Sequence, residues 1–368
     1  MKLACKSVWK RAAAFVVLVA ILPMFTGCSI QLYDRLLIHA IGVDRTETGY
    51  RTTVRAARAG NEEKEEVLTG EGETVFLALD SIKMKTGKYP LYSHNYLVIL
   101  GRSCCENGLD DTLDFFSRHF ESRPSVKLFM ADGSAEELLN VQQNDELIAS
   151  DAIEDMIDVD ITGGSAVNMR VIDFSNARTI PGSAACLPIL SAGKDVIELK
   201  DTALFAQGKL CDTLDTYETS GLLAVQGTLQ GVTYALENDQ RETVSLRIGK
   251  SDVKFSRGEN TYDIKVQIRC EADMISYDSA PGGDGWNDQT LSAALSQEIY
   301  KQAEAVIEKT LVKNQCDVFG FGIFLAAHDR SLWQKLREDP ESIVGQYRIF
   351  VDVQAQVNHV GGEIFPFL

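Results

Sequence analysis

The chain has 368 residues, with 36 Lys and Arg against 53 Asp and Glu and a formal net charge of −17. A body this acidic is repelled by nucleic-acid phosphates and by anionic headgroups, so neither is an expected partner of its folded surface. A hydrophobic fraction of 45% with 24% charged residues is ordinary for a globular chain, and the length allows two or three domains.

Residues 1–27 read as a cleaved lipoprotein signal peptide. Lys2, Lys6, Lys10 and Arg11 precede an uncharged stretch from Ala12 to Phe25, and small residues follow in Thr26-Gly27-Cys28. The apolar run is short for a bilayer crossing, which needs roughly 20 residues, and Pro23 sits near its end. The small pair before Cys28 looks like a lipobox with Phe25 in place of the usual Leu. Cys28 is therefore the expected lipidation site, carrying a diacylglycerol as the first mature residue. The plainer alternative is an ordinary exported protein. Later in the chain no stretch approaches 18 consecutive apolar residues, so a second membrane segment is not expected.

Beyond the leader, Leu36–Asp44 and Tyr50–Arg58 form a hairpin pattern around Gly49. Glu62–Glu66 reads as a solvated acidic loop. Thr74 is placed to cap a helix from Val75 to about Lys85 that Gly87 ends. Tyr96–Leu100 is a buried-strand run, Asp110–Phe120 a helix, Val126–Met130 a strand, and Ser134–Asn140 a helix with a capping-box pattern, Ser134 to Glu137. Between Asp145 and Pro188 the signal is weaker. A helix is expected near Asp151–Ile157, a helix or extended piece near Val171–Ala177, and a turn at Ile180–Ser183.

Ile197–Lys209 reads as strands with Gly208 at a turn, and Thr219–Val225 as a helix leading into short strands around Gly227–Leu236. Val244–Ile248 and Tyr262–Ala272 are strands; in the second, Ile264, Val266, Ile268 and Cys270 alternate with charged and polar residues. A Gly-rich loop spans Pro281–Asp288. A long helix from about Thr290 to Asn314 carries the stripe Leu291, Leu295, Ile299, Ala303, Val306, Ile307 and Leu311. Asp317–Phe324 reads as a Gly-containing connector, Ser331–Arg337 as a short helix, and Tyr347–Asn358 as a last alternating strand. The expected fold class is α+β or mixed α/β. It comprises three consecutive domains, each a sheet with helices packed on it: residues 28–145, a smaller middle domain or an excursion of the first at 146–200, and 201–368.

Chemical motifs are sparse. Gly249-Lys250-Ser251 ends like a phosphate loop but lacks the leading glycine, since position 244 is Val. Asp158–Gly163 starts like a calcium loop, but Met169 stands where a bidentate Glu is needed. No Gly-x-Ser-x-Gly elbow is present. His39, His94, His119, His328 and His359 are scattered and read as packed or surface residues. After Cys5 leaves with the leader and Cys28 is acylated, Cys104, Cys105, Cys186, Cys211, Cys270 and Cys316 remain. None has metal-ligand spacing, and mostly free, buried thiols are expected. No catalytic residue, metal or cofactor is assigned. The oddest local feature is Asp317-Val318-Phe319-Gly320-Phe321-Gly322. It is either a tight loop whose aromatic rings plug a core or a partner-docking surface built from Asp317, Phe319, Gly320, Phe321 and Gly322.

Several segments follow Cys28 in a set order: Ile41-Gly42-Val43-Asp44, Gly72-Glu73-Thr74-Val75, Tyr92-Ser93-His94 entering Leu97–Gly101, and Asp114–Arg118 before Ser122-Arg123-Pro124. Toward the end come Cys316–Gly322, a helix with Trp333, and Gly361-Gly362 after the last strand. This order resembles the Ger(x)C family of spore-germination lipoproteins, the C subunits of nutrient germinant receptors. Residues 145–190 depart most from the pattern, and Tyr33-Asp34 stands where the family carries Trp-Asp. The resemblance implies a three-domain body without known catalysis. It would be lipid-anchored to the outer face of the bacterial membrane, in spores the inner spore membrane. There it would work beside integral-membrane A-type and B-type receptor subunits. A solute-binding lipoprotein of an uptake system is the alternative, and it requires two similar lobes hinged over one cleft.

Overall fold

The computed structural model describes residues 34–358, apart from 59–60, 119–121, 240 and 279–285. Two sheets carry most of it. The larger is nine-stranded. Its members are β1 (Arg35–Thr46), β2 (Gly49–Arg58), β3 (Asn61–Gly72), β4 (Tyr89–Leu91), β5 (Leu97–Leu100) and β6 (Lys127–Ala131), and then β9 (Ala185–Ala192), β10 (Ile197–Ala206) and β11 (Lys209–Leu214). Two short strands, β7 (Gln142–Gln143) and β8 (Glu146–Leu147), pair only with each other. The order across the large sheet is β11-β10-β9-β6-β5-β1-β2-β3, with β4 beside the start of β1. The centre, β9-β6-β5-β1, is parallel and the two flanks are antiparallel.

Parallel strands need crossovers, and the crossovers place helices on both faces. One face is covered by α1 (Val75–Thr86), α2 (Arg102–Asn107), α3 (Asp110–Arg118) and α6 (Val171–Thr179). There Leu79, Phe116 and Phe174 pack on Ile41, Val98 and Leu128. The other face is covered by α4 (Ala135–Leu139) and α5 (Ser150–Thr162), where Leu138 and Ile153 meet Ile99 and Phe129. Local rules act where expected: Thr74 caps α1 through Leu77 N–H at 3.2 Å, and Gly87 closes it with φ 66°.

The smaller sheet has the order β12-β13-β14-β15: Thr233–Glu237, Thr243–Arg257, Asp263–Asp278 and Arg348–Asn358. The last pair is parallel. Ile264, Val266, Ile268 and Cys270 face inward, as the alternation requires. Against them lies α8 (Asp288–Ile307), whose Leu291, Leu295, Ile299 and Val306 are fully buried, worth about 2 kcal/mol each as an upper bound. The helix continues to Lys313 as a single π segment rather than a regular α-helix to Asn314.

Between the sheets runs α7 (Thr216–Val225), whose residues from Thr219 to Val225 are all buried. A helix apolar all round has no solvent face, and α7 packs on both α8 and β10. Three short helices, α9 (Phe321–His328), α10 (Arg330–Glu338) and α11 (Pro340–Val344), lead into β15.

Three expectations need correction. The acidic run Glu62–Glu66 is not a loop but part of β3, paired to β2. Asp317–Phe324 is a connector only as far as Gly320, because α9 starts at Phe321. The large sheet breaks neither at residue 145 nor at residue 200. Of the two alternatives for 146–200, the sheet follows the excursion of the first domain rather than a smaller middle one: β9 joins β6 in parallel and β10, which runs through the expected 200/201 boundary, extends the sheet. Non-local pairing, invisible to local pattern, draws this segment into the first sheet.

Candidate functional site

Cys28 lies outside the described residues, so its lipidation stands as an expectation. The body begins at Asp34, whose carboxylate pairs with Lys88 at 3.9 Å beside β4. Six residue steps separate Cys28 from Asp34 and reach at most about 20 Å.

The Asp317 segment lies at the junction of the two sheets. Asp317 is buried, and its carboxylate accepts four backbone N–H groups. Oδ1 takes those of Phe319, Gly320 and Phe321 at 3.1, 2.9 and 3.1 Å; Oδ2 takes that of Gly322 at 2.7 Å. Those of Gly320, Phe321 and Gly322 are orphan donors at the start of α9, and the same carboxylate also holds the N–H of Phe319 just before it. Burial pushes the Asp317 pKa up from the usual carboxylate value, while the four amides pull against it. Gly320 holds φ 80°, the left-handed turn that lets the chain fold around the carboxylate. Phe321 is wholly buried against Phe255, with centroids 5.1 Å apart, and Phe319 stacks beside it. Asp317, Phe319, Gly320, Phe321 and Gly322 therefore build a core plug and helix cap. Phe319 and Phe321 are both buried, the arrangement that the core-plug alternative describes.

The same segment ties the two sheets together. Asp317 C=O accepts from Ala184 N–H at 2.9 Å, next to β9. Val318 C=O accepts from Gln226 Nε2 at 3.0 Å, and Asp212 of β11 takes Lys313 and Asn314 at 3.2 and 2.9 Å. Beside this seam opens a cleft of about 420 Å³, lined by Arg178, Gln207, Cys316 and Glu341 among others. Gln207 Nε2 reaches Glu341 Oε1 across it at 3.1 Å, and Arg178 pairs with Asp110.

A second polar cluster is buried under β2. Arg55 is fully enclosed. It donates to the carbonyls of Leu139 (2.8 Å), Val141 (3.4 Å) and Ile148, and lies 3.5 Å from Glu65. Glu65 in turn takes His39 Nδ1 at 2.7 Å, and the hydroxyl and N–H of Ser150 at 2.9 and 3.2 Å, at the start of α5. Burial works to raise the Glu65 pKa, but His39, Ser150 and Arg55 outweigh it and hold the carboxyl below its usual value. The cluster clamps residues 139–150 onto the sheet. Sequence reading missed it because Arg55 sits in an alternating strand and Glu65 in a run of charges. A basic residue on a sheet covered on both faces is the signal that would have found it.

Asp44 at the end of β1 repeats the Asp317 device. Its carboxylate accepts from Ala135 N–H and Glu136 N–H at 2.9 and 3.0 Å and from Ser134 Oγ at 3.2 Å, capping α4. Among the other residues singled out from sequence, Gly249-Lys250-Ser251 lies at a bulge inside β13, and Asp158–Thr162 is the last turn of α5. His94 sits in a single helical turn far from His39 in sequence; His119 and His359 lie outside the described residues. Among the described residues no three His, Cys, Asp or Glu side chains are grouped to hold a metal ion, and no helix is long and apolar enough to cross a membrane.

Comparison with known proteins gives the family. The model of the spore germination protein N-terminal domain matches residues 29–192, and that of the spore germination B3/GerAC-like C-terminal domain matches residues 200–361. The chain belongs to the GerAC family of spore germination proteins. Its relatives include spore germination protein B3 of Bacillus subtilis (strain 168), 22% identical over 80% of each chain. GerQC of Bacillus cereus is 19% identical over 82% of this chain and 85% of that one. Spore germination protein YndF of Bacillus subtilis (strain 168) is 22% identical over 69% of this chain, which spans only 64% of YndF's own length. The fold is that of the GerBC crystal structure, with TM-score 0.58 and 18% identity, covering 86% of this chain and 96% of GerBC.

Three of the segments that carried the resemblance hold helix starts. Asp44 ends Ile41–Asp44 as a helix cap, Thr74 caps α1, and Asp317 organises Cys316–Gly322.

Proposed function

We propose that this chain is the lipid-anchored, non-enzymatic C-type subunit of a nutrient germinant receptor. Signal cleavage before Cys28 leaves that residue acylated, and two acyl chains hold the body firmly where one would be marginal. The body sits on the outer face of the bacterial membrane, in spores the inner spore membrane. The short reach from Cys28 keeps the end of the body that carries the start of β1 and β4 facing the bilayer. Assembly is with integral-membrane A-type and B-type subunits.

The observation that carries this reading is the pair of family models, which together run from residue 29, the residue after Cys28, to residue 361. The use of the polar core supports it: Asp44, Glu65 and Asp317 are each committed to backbone or structural partners rather than converging on a cavity. The solute-binding alternative calls for two similar lobes, whereas one sheet here has nine strands and the other four. Deleting the gene from its spore-former and scoring germination against a panel of nutrients tests the role. Loss of response to at least one nutrient is expected; normal germination in all of them, with no paralogue covering, would overturn it.

A further inference from the structure

Two thiols meet across the seam between the sheets. Cys211 lies on β11, the edge strand of the large sheet, and Cys316 lies just before α9 in the C-terminal half. Their Sγ atoms are 3.8 Å apart although 105 positions separate them in the chain. Cys211 is exposed, whereas Cys316 is 1% exposed and lines the inter-sheet cleft. The remaining described cysteines, Cys104, Cys105, Cys186 and Cys270, are buried.

The backbone holds both residues in place. Cys211 donates to Leu204 C=O at 3.3 Å, and Cys316 N–H donates to Thr310 C=O at 2.7 Å. The neighbouring Asp212–Asn314 and Asp212–Lys313 contacts pin the same two segments. A disulfide needs about 2.05 Å between sulfurs, so the two sulfurs have roughly 1.75 Å left to close.

We propose that Cys211 and Cys316 form a thiol–disulfide clasp that locks the two halves of the protein together. Cys211 gives its proton to solvent and attacks one sulfur of a disulfide oxidant as the thiolate, breaking that bond and releasing one thiolate. The released thiolate takes the proton from Cys316. The Cys316 thiolate then attacks Cys211 Sγ, forming the clasp and expelling the second thiolate, which takes up from solvent the proton that Cys211 gave. Two protein thiols are oxidised and one oxidant disulfide is reduced to two thiols. The polarity of the pair suits this order. The hydrogen bond with Cys316 pulls the Cys211 pKa down, whereas that same bond and burial push Cys316 up, so the exposed sulfur is the nucleophile and the covered one resolves it. Closure ties the cleft wall at Cys316 to the large sheet, which fixes the cleft's width. The clasp goes beyond the receptor reading and stands whether or not that reading holds.

Incubating the purified full chain with oxidised glutathione, alkylating, and digesting without reduction tests the clasp. The expected product is a linked peptide pair carrying Cys211 and Cys316, lighter by two hydrogens, with faster mobility on a non-reducing gel. Amide exchange over residues 209–214 should slow about tenfold in the clasped protein. In Cys316→Ser, glutathione should remain on Cys211 as a stable adduct. A wild-type chain that keeps glutathione on Cys211, or whose Cys316 alkylates equally with and without oxidant, would overturn the proposal. The wild-type peptide map decides this even if a variant fails to fold.

Discussion

Replacing Asp317 separates a structural cap from an idle buried charge. In Asp317→Ala, four N–H groups lose their acceptor at once: those of Phe319, Gly320, Phe321 and Gly322. A buried donor left unpaired costs about 1–3 kcal/mol, so even the low end gives about 4 kcal/mol, within the range for breaking a buried charged network. In Asp317→Asn, the amide oxygen keeps the three bonds to Oδ1. Only Gly322 N–H then faces a donor instead of an acceptor, a loss of about 1–3 kcal/mol. For a unit of this size each kcal/mol moves Tm by about 2–4 °C, so Ala is expected to lower it by about 8–16 °C and Asn by markedly less. Thermal unfolding followed by circular dichroism gives the global value, and amide exchange over residues 321–328 gives the local one. If both variants fall within about 0.5 kcal/mol of the parent, or Asn is worse than Ala, the cap is not what holds this junction.

Two further predictions rest on packing and charge. Glu65 has a depressed pKa in the folded state, so its stabilisation is present above the unfolded value near 4.3 and is lost as pH falls through the folded one. Glu65→Gln should therefore cost about 3–5 kcal/mol near neutral pH by stranding Arg55, and the gap from the parent should shrink below about pH 4 in denaturant titrations. A gap that does not change with pH would refute the ionised clamp. At Gly221 in α7, an added Cβ would overlap the carbonyl of Gln302 in α8. Gly221→Ala should lower stability by about 1–3 kcal/mol, and a neutral result would mean the two helices are not in backbone contact.

How much of this was legible in the sequence depends on whether a segment's partners are local. The alternation in Tyr262–Ala272, the stripe from Leu291 to Leu311 and the caps at Thr74 and Gly87 are local signals, and each element formed there, although β14 runs on to Asp278 and α8 gives way to the π segment after Ile307. Glu62–Glu66 misled because the run is charged throughout like a loop, while Glu65 is accepted in the sheet by its buried partners Arg55, His39 and Ser150. Arg55 misled in the opposite way: alternation implies a wet face, yet helices cover both sides of this sheet and the guanidinium is enclosed. Residues 185–206 could not be assigned to the first sheet because β9 finds its partner, β6, more than fifty positions back. For the 317–322 segment, composition left the core plug and the docking surface open, because neither the four amides on Asp317 nor the burial of the two rings is written in local pattern.

The central claim is attachment through one acylated residue beside membrane-spanning partners. Its most direct test is to isolate spore inner membranes from the parent strain and from Cys28→Ala, wash them with high salt, and ask where the chain is and what co-purifies with it. The account predicts that the parent chain stays in the membrane fraction, carries a diacylglycerol mass on Cys28 and brings two multi-spanning subunits with it, while Cys28→Ala is released. A parent chain recovered free and unacylated, or retained equally well without Cys28, would contradict it.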